Sequence, residues 1–201
     1  MPKPLDKRQP LRKKNLRETE KLQITLGRFV NFPSMIHGIA RVSHQNTTTK
    51  LQQAIIQTFY KLNESKEKYT LSVADHVGTY NGEVTFEVGV ADGLFFNFLN
   101  QDAFQNLCTP LKFGKEYSIL DFLVVIAYRY FRGERKISLN FDHYIVRFAF
   151  YNGSVEATLF HSKGTRRMPL DEFLNLILKR LSNELKQMGL KPITVHTLKT
   201  L

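Results

Sequence analysis

Two stretches of this chain alternate apolar and polar residues around an Asn-Gly pair: Tyr80-Asn81-Gly82-Glu83-Val84 and Tyr151-Asn152-Gly153-Ser154-Val155. Asn and Gly both accept positive φ, so the pair favours a two-residue turn whose twist suits the strands it joins. The pattern predicts two antiparallel hairpins, Tyr69 to Tyr80 with Glu83 to Val90, and Tyr144 to Tyr151 with Ser154 to His161. A turn at Asn152-Gly153 sets Tyr151 opposite Ser154 and Arg147 opposite Thr158. One face of that ribbon then carries Val146, Phe148, Phe150, Val155, Ala157 and Leu159 and is core. The other carries Arg147, Ala149, Tyr151, Ser154, Glu156 and Thr158, with Arg147 and Glu156 able to pair.

Helical spacing appears elsewhere. Leu51, Ala54, Ile55, Thr58, Phe59 and Leu62 follow the hydroxyls of Thr47 to Thr49 and predict a helix from about Thr48 to Asn63. Gln101 to Cys108 reads as a short helix. Ile119 to Arg132 is apolar nearly all round. With Ser118 and Asp121 as a capping-box variant and Gly133 as its stop, it reads as a buried helix. A last helix starts at Pro169, with Asp171 and Glu172 in its first turn and Gly189 at its end. Shorter strands are expected at Leu22 to Leu26, Ile36 to Ser43, Ile137 to Phe141 and Ile193 to Leu198.

This order predicts an α+β fold: an antiparallel sheet built from the two Asn-Gly hairpins, with three main helices packed mostly on one face. From Ile36 to Phe141 it also fits a ferredoxin-like order. The signature of the RNA-recognition version of that fold is absent from Glu83-Val84-Thr85-Phe86-Glu87-Val88. The shared hairpin pattern raises a duplicated helix–hairpin–helix unit, with halves at 35–108 and 117–189. The commonness of Asn-Gly turns explains it as well.

Residues 1–20 form a basic arm. Pro2, Pro4 and Pro10 and a lack of apolar periodicity predict disorder there, leaving 21–189 as one domain and 190–201 as a tail or edge strand. Up to Arg28 the chain holds Lys3, Lys7, Arg8, Arg12, Lys13, Lys14, Arg17, Lys21 and Arg28 against Asp6, Glu18 and Glu20. The whole chain carries a net charge of +11. Such an excess favours a polyanionic partner, because each neutralised phosphate releases counterions and the field steers the encounter. A membrane is not expected as partner. The arm has no amphipathic stripe, its second residue is Pro2 where a myristoylation signal needs glycine, and the longest apolar run contains Asp121 and Arg129. The single Cys108 and the lack of a secretory leader point to a cytoplasmic or otherwise intracellular protein.

No catalytic, cofactor or metal signature is visible. The six histidines and Cys108 lack zinc spacing, and Gly-rich phosphate loops and nucleophile elbows are missing. Candidate contacts to nucleic acid are therefore the arm cations Lys3 to Arg17, Arg147 and Tyr151 on the second hairpin, and Arg135 and Lys136. The loop Lys163-Gly164-Thr165-Arg166-Arg167 adds Lys163, Arg166 and Arg167 as an anion site before the last helix. Arg129 and Arg132 read as helix C-terminal cations.

Asp75-His76 and Asp142-His143 cannot chelate as pairs, because strand neighbours face opposite ways. Asp75, Glu87 and Asp142 form the only carboxylate set worth testing for a nuclease. The leading expectation is a non-enzymatic binder of single-stranded or structured RNA, or of single-stranded DNA, without cofactor. Two alternatives stay open: an assembly subunit with protein partners in a larger nucleoprotein, and a metal-dependent nuclease.

Overall fold

The segment Ile119–Arg132 is a 14-residue strand, not a helix, and the sheet is built around it. In the computed structural model, which describes residues 25–63, 65–72 and 79–201, the elements run β1 Gly38–Ser43, α1 Thr48–Leu62, β2 Lys66–Ser72, β3 Thr79–Asp92, β4 Phe95–Phe98, α2 Gln101–Lys112, β5 Ile119–Arg132, β6 Arg135–Ser138, β7 Asp142–Tyr151, β8 Ser154–Lys163, α3 Leu170–Gln187 and β9 Thr194–Thr200. Leu120, Phe122, Val124, Ile126, Tyr128 and Tyr130 of β5 alternate inward and are buried. The two-residue period is hidden in the sequence because Leu123, Val125 and Ala127, on the opposite face, are apolar too. β-branched and aromatic side chains suit a pleated, doubly flanked strand better than a helix. Gly133, at φ +61°, turns the chain from β5 into β6 and caps no helix.

Among the described residues the fold is α+β, with three helices and one curled antiparallel sheet of nine strands that resembles half a barrel. The strand order is β2-β3-β5-β7-β8-β1-β9, with β4 on β3 and β6 on β5. The ferredoxin-like order is not found, since β1 lies between β8 and β9. The duplicated helix–hairpin–helix unit also falls, because its second half would need a helix where β5 runs. The chain end, Thr194–Thr200, forms the edge strand on β1.

Only one of the two Asn-Gly pairs makes a turn. Tyr151 lies opposite Ser154 and Arg147 opposite Thr158, so Asn152-Gly153 closes β7 and β8. Asn81 and Gly82 instead sit inside β3, opposite Thr70 and Tyr69. Gly82 is there for room: a Cβ would lie 2.6 Å from Leu71 Cδ1 and 2.7 Å from the Arg129 carbonyl oxygen. The strand expected at Leu22 to Leu26 falls largely outside the described residues. Leu26 itself makes a single bridge to Asp92.

All three helices lie on the face that β5 buries. Phe59 of α1 stacks on Phe122 at 4.1 Å between centroids and meets Phe148 edge-on at 5.7 Å. Phe173 of α3 stacks on Tyr144 at 4.8 Å. Buried Gln52 on α1 exchanges two hydrogen bonds with the Tyr117 backbone, at 2.6 and 2.9 Å, fixing the entry to β5. Lys61 and Glu184 join α1 to α3 at 2.6 Å, and Arg180 of α3 pairs with Glu67 of the edge strand β2.

The Gly82 geometry gives a clear expectation. Gly82→Ala forces a methyl into backbone and costs about 2 kcal/mol, roughly 6 °C in Tm for a chain of this size. Asn81→Ala, at an exposed strand position, leaves Tm nearly unchanged. Thermal melts of both variants check this; equal losses would restore the turn.

Candidate nucleic-acid interface

Among the described residues, the sequence-predicted contacts Arg147, Tyr151, Lys136 and Lys163 lie on strands of the sheet, which does not gather them. Arg147 is not a free cation. Its Nε and Nη2 form a fork on Asp121, both at 2.7 Å, and the Asp121 carboxylate is fully buried. Nη2 also donates to the Phe29 carbonyl at 2.9 Å, the Phe29 N–H donates to Asp121 at 2.7 Å, and the guanidinium sits 3.9 Å from the Phe32 ring centroid. This pair binds the segment that enters the domain to the outer face of β5 and β7. Glu156, the partner the sequence offered Arg147, pairs instead with Arg41 at 2.8 Å. Tyr151 is 57% exposed at the hairpin tip, in a separate hollow with Arg41 and His196.

The loop from Lys163 to Arg167 does form an anion site, and the anion is the protein's own. Fully buried Asp142 accepts the Arg166 and Arg167 backbone N–H groups, each at 2.8 Å, and lies 3.4 Å from His161 Nε2. His161 Nδ1 accepts from Arg166 Nε at 3.3 Å, which leaves the ring proton on Nε2, facing the carboxylate. Burial pushes the Asp142 carboxyl up. Hydrogen bonds from the Tyr128 hydroxyl, the two N–H groups and His161 outweigh it and hold the carboxyl below its usual range. Gly164, at φ +112°, is required here, since any Cβ would overlap an Asp142 oxygen. Arg166 takes φ 54° to present its N–H. Met168, next in the chain, donates to the Tyr128 hydroxyl at 3.1 Å and accepts from Tyr144 at 2.8 Å, so α3 starts from a fixed point.

What remains open on the outer face is a groove of about 550 Å³ over β3 and β5. Its floor is Thr85, Val125 and Ala127. Phe98 of β4 and Phe141, just before β7, line it and stand 45% and 54% exposed. Lys66 and Arg129 supply positive charge, and Glu87 is its one lining carboxylate. Glu83 borders Arg129 at 3.8 Å but is engaged by Lys136 at 2.9 Å, whose hydrogen bond holds the Glu83 carboxyl below its usual value. Lys163 pairs across the strands with His143, which in turn faces Val125 of the floor. Of the sequence-predicted contacts, Lys163 and Lys136 thus lie beside the groove. Tyr151 does not: eight residues along β7 from His143 is about 26 Å.

Lys66, Phe98 and Phe141 were not legible as site residues. The one available signal was Phe95-Phe96-Asn97-Phe98, three rings in four strand residues that cannot all point inward. Arg135 is exposed on β6. The arm residues Lys3, Lys7, Arg8, Arg12, Lys13, Lys14 and Arg17 lie outside the described residues, as do Asp75 and His76.

Glu87 and Asp142 face opposite sides of the sheet, and no three metal-ligating side chains gather among the described residues. Burial pushes the Cys108 thiol up to about 11. No described helix is long and apolar enough to cross a membrane. No family model matches the chain, and neither a curated protein nor a solved structure does.

Asp142→Asn puts an amide where the loop needs a second acceptor, and costs about 3 kcal/mol at pH 7. A carboxyl held below its unfolded value of about 3.9 stabilises the fold above that pH and loses the contribution as pH falls further. The wild-type and Asn curves therefore converge in acid. Urea midpoints at pH 7 and in steps from about pH 4 down to about pH 2 test this; a constant gap would show that Asp142 is not ionised in the fold.

Proposed function

We propose that this chain binds single-stranded nucleic acid, RNA or DNA, along the outer face of its sheet. Bases stack on Phe98 and Phe141 while Lys66 and Arg129 take phosphate oxygens. The observation that carries this reading is the groove itself: two half-exposed phenyl rings on either side of a floor of Thr85, Val125 and Ala127, with Lys66 on β2 and Arg129 on β5 flanking β3, and Glu87 as the one carboxylate that a strand's phosphates must avoid. Aromatic rings accept any base face, and cations track the backbone, which is the pattern of sequence-tolerant single-strand binding. A net charge of +11 on the chain supplies the steering field.

The tip of the β3–β4 hairpin favours a second reading. Leu94 and Phe95 are 57% and 72% exposed, and an aliphatic side chain has no face for a base. This apolar tip suits a protein contact within a nucleoprotein assembly. A protein that stays bound through purification after nuclease treatment, and is lost with Leu94→Ser and Phe95→Ser, supports it.

For the main reading, Phe98→Ala with Phe141→Ala removes two stacking contacts, each contributing about 1–3 kcal/mol. Affinity for a labelled single strand falls about 30-fold or more, with the fold intact by circular dichroism. Lys66→Gln with Arg129→Gln reduces the slope of log K against log salt by about 1.4. Fluorescence anisotropy measures both, and unchanged affinity in the Phe variant rejects the groove as the site.

A further inference from the structure

Strand register fixes where the one carboxylate of the groove stands. On the outer face of β3, Thr85 lies between Lys66 of β2 and Ala127 of β5. Glu87 follows two residues on, about 7 Å along the strand, opposite Val125. Gly89 comes next, opposite Phe98 of β4. Phe141 precedes Asp142, which pairs with Ile126, so Phe141 comes level with Ala127 on the far side. Phe98 and Phe141 are thus three strands apart, about 14 Å. Bases held by the two rings are not neighbours, and a base between them lies over Val125, beside Glu87. Both cations lie at the other end: Lys66 is opposite Thr85 and Arg129 opposite Glu83. A strand with its phosphates on Lys66 and Arg129 turns the edge of that middle base toward Glu87.

Glu87 is exposed and makes no hydrogen bond or ion pair with a described residue. Other carboxylates of the sheet are engaged: Glu83 by Lys136, Glu67 by Arg180 and Glu156 by Arg41. His143, across Val125 from Glu87, does not take the charge either. Burial and the nearby Lys163 lower its pKa, so its ring is neutral at pH 7. An unpaired carboxylate repels a phosphate, yet it accepts charge-assisted hydrogen bonds from a base edge. The bases differ in what they offer it. Adenine and cytosine set one amino donor beside an acceptor ring nitrogen, and uracil and thymine set one N–H between two carbonyl oxygens. In each of these the carboxylate meets a lone pair. Guanine sets two donors side by side, N1–H and the N2 amino group, and they match the two carboxylate oxygens.

Resting on the proposed function, we infer that Glu87 makes the middle of the groove a guanine subsite. The guanine of a single strand lies on the floor, with N1–H and the N2 amino group donating to the Glu87 carboxylate. Phe98 and Phe141 stack the bases to either side and stay indifferent to sequence. One position of the bound strand is therefore specified and its neighbours are not.

The test measures anisotropy of labelled oligothymidylates about nine nucleotides long on the full chain, with thymine, guanine or hypoxanthine at the central position. A single guanine keeps the strand from forming four-stranded structures. The wild type is expected to bind the guanine strand about tenfold tighter than the all-thymine strand, with hypoxanthine, which lacks the amino group, in between. Glu87→Gln and Glu87→Ala, both at an exposed position, bring the guanine and thymine strands to within about twofold of each other. Guanosine monophosphate competes at least about tenfold more weakly than the guanine strand, since it offers nothing to Phe98 and Phe141; closer competition overturns the inference in favour of a free-nucleotide site. Wild-type protein that binds guanine and thymine strands equally, or hypoxanthine as well as guanine, overturns it. So does a Glu87→Gln variant that gains affinity for all strands alike and keeps the guanine preference, because the carboxylate would then only repel phosphate. In these cases loss of binding in the Phe98→Ala, Phe141→Ala variant keeps the proposed function standing, whereas wild-type protein that binds no strand removes both.

Discussion

A carboxylate without solvent contact in a sheet is costly unless hydrogen-bond donors surround it, and this fold is organised around two of them. Asp142 gathers the Arg166 and Arg167 N–H groups, His161 and the Tyr128 hydroxyl on the helix side. Asp121 gathers Arg147 and the Phe29 N–H on the other side. The first fixes the loop that launches α3 and with it Phe173 on Tyr144; the second fixes the chain's entry into the domain. A chain with 29 Lys and Arg uses some of that charge as structure. Arg147 is consumed by Asp121, and the backbone that Arg166 and Arg167 would offer a phosphate is consumed by Asp142.

How much of this was legible follows from the same residues. The β7–β8 ribbon reads directly from its strict alternation and its Asn-Gly turn, and α1 and α3 read from helical stripes that bury one face. β5 did not read, because both of its faces are apolar; a strand covered on both sides loses the period that identifies it. Asn81-Gly82 misled because a glycine kept for close approach to Leu71 and the Arg129 carbonyl looks like a glycine kept for a turn. Phenylalanine is most often a core residue, and that hides Phe98 and Phe141 in the sequence. The apolar alternation changes phase between Phe141 and Tyr144, at the place where Phe141 faces the groove while Asp142 turns into the protein.

Moving the anion site indoors also changes what a cation count means. Net charge is a statement about partners only after internal pairing is subtracted. Glu67, Glu156 and Glu184 pair with Arg180, Arg41 and Lys61, each across elements distant in sequence. The Arg41 and Arg180 pairs, partly in water, contribute little stability, whereas Glu184 is buried against Lys61; all three pairs take cations away from a ligand. Around the groove Glu83 holds both Lys136, at 2.9 Å, and Arg129, at 3.8 Å.

The outer face carries the last step. Antiparallel sheets of mixed folds usually present polar residues to water on the side away from their helices. Here the outward residues of β5 include Leu123, Val125 and Ala127, and that face asks to be covered. The entering segment covers part of it, through Phe29 on Phe96 and Phe32 on Arg147. Beyond that segment the apolar floor continues through Val125 and Ala127 to Phe98 and Phe141, edged by Lys66 and Arg129. On the proposed reading, the ligand that completes the cover presents flat apolar faces to the rings and negative charge to Lys66 and Arg129. The bases and phosphates of an unpaired strand do both with one repeating unit, and a duplex, whose bases are stacked away inside, does only the second.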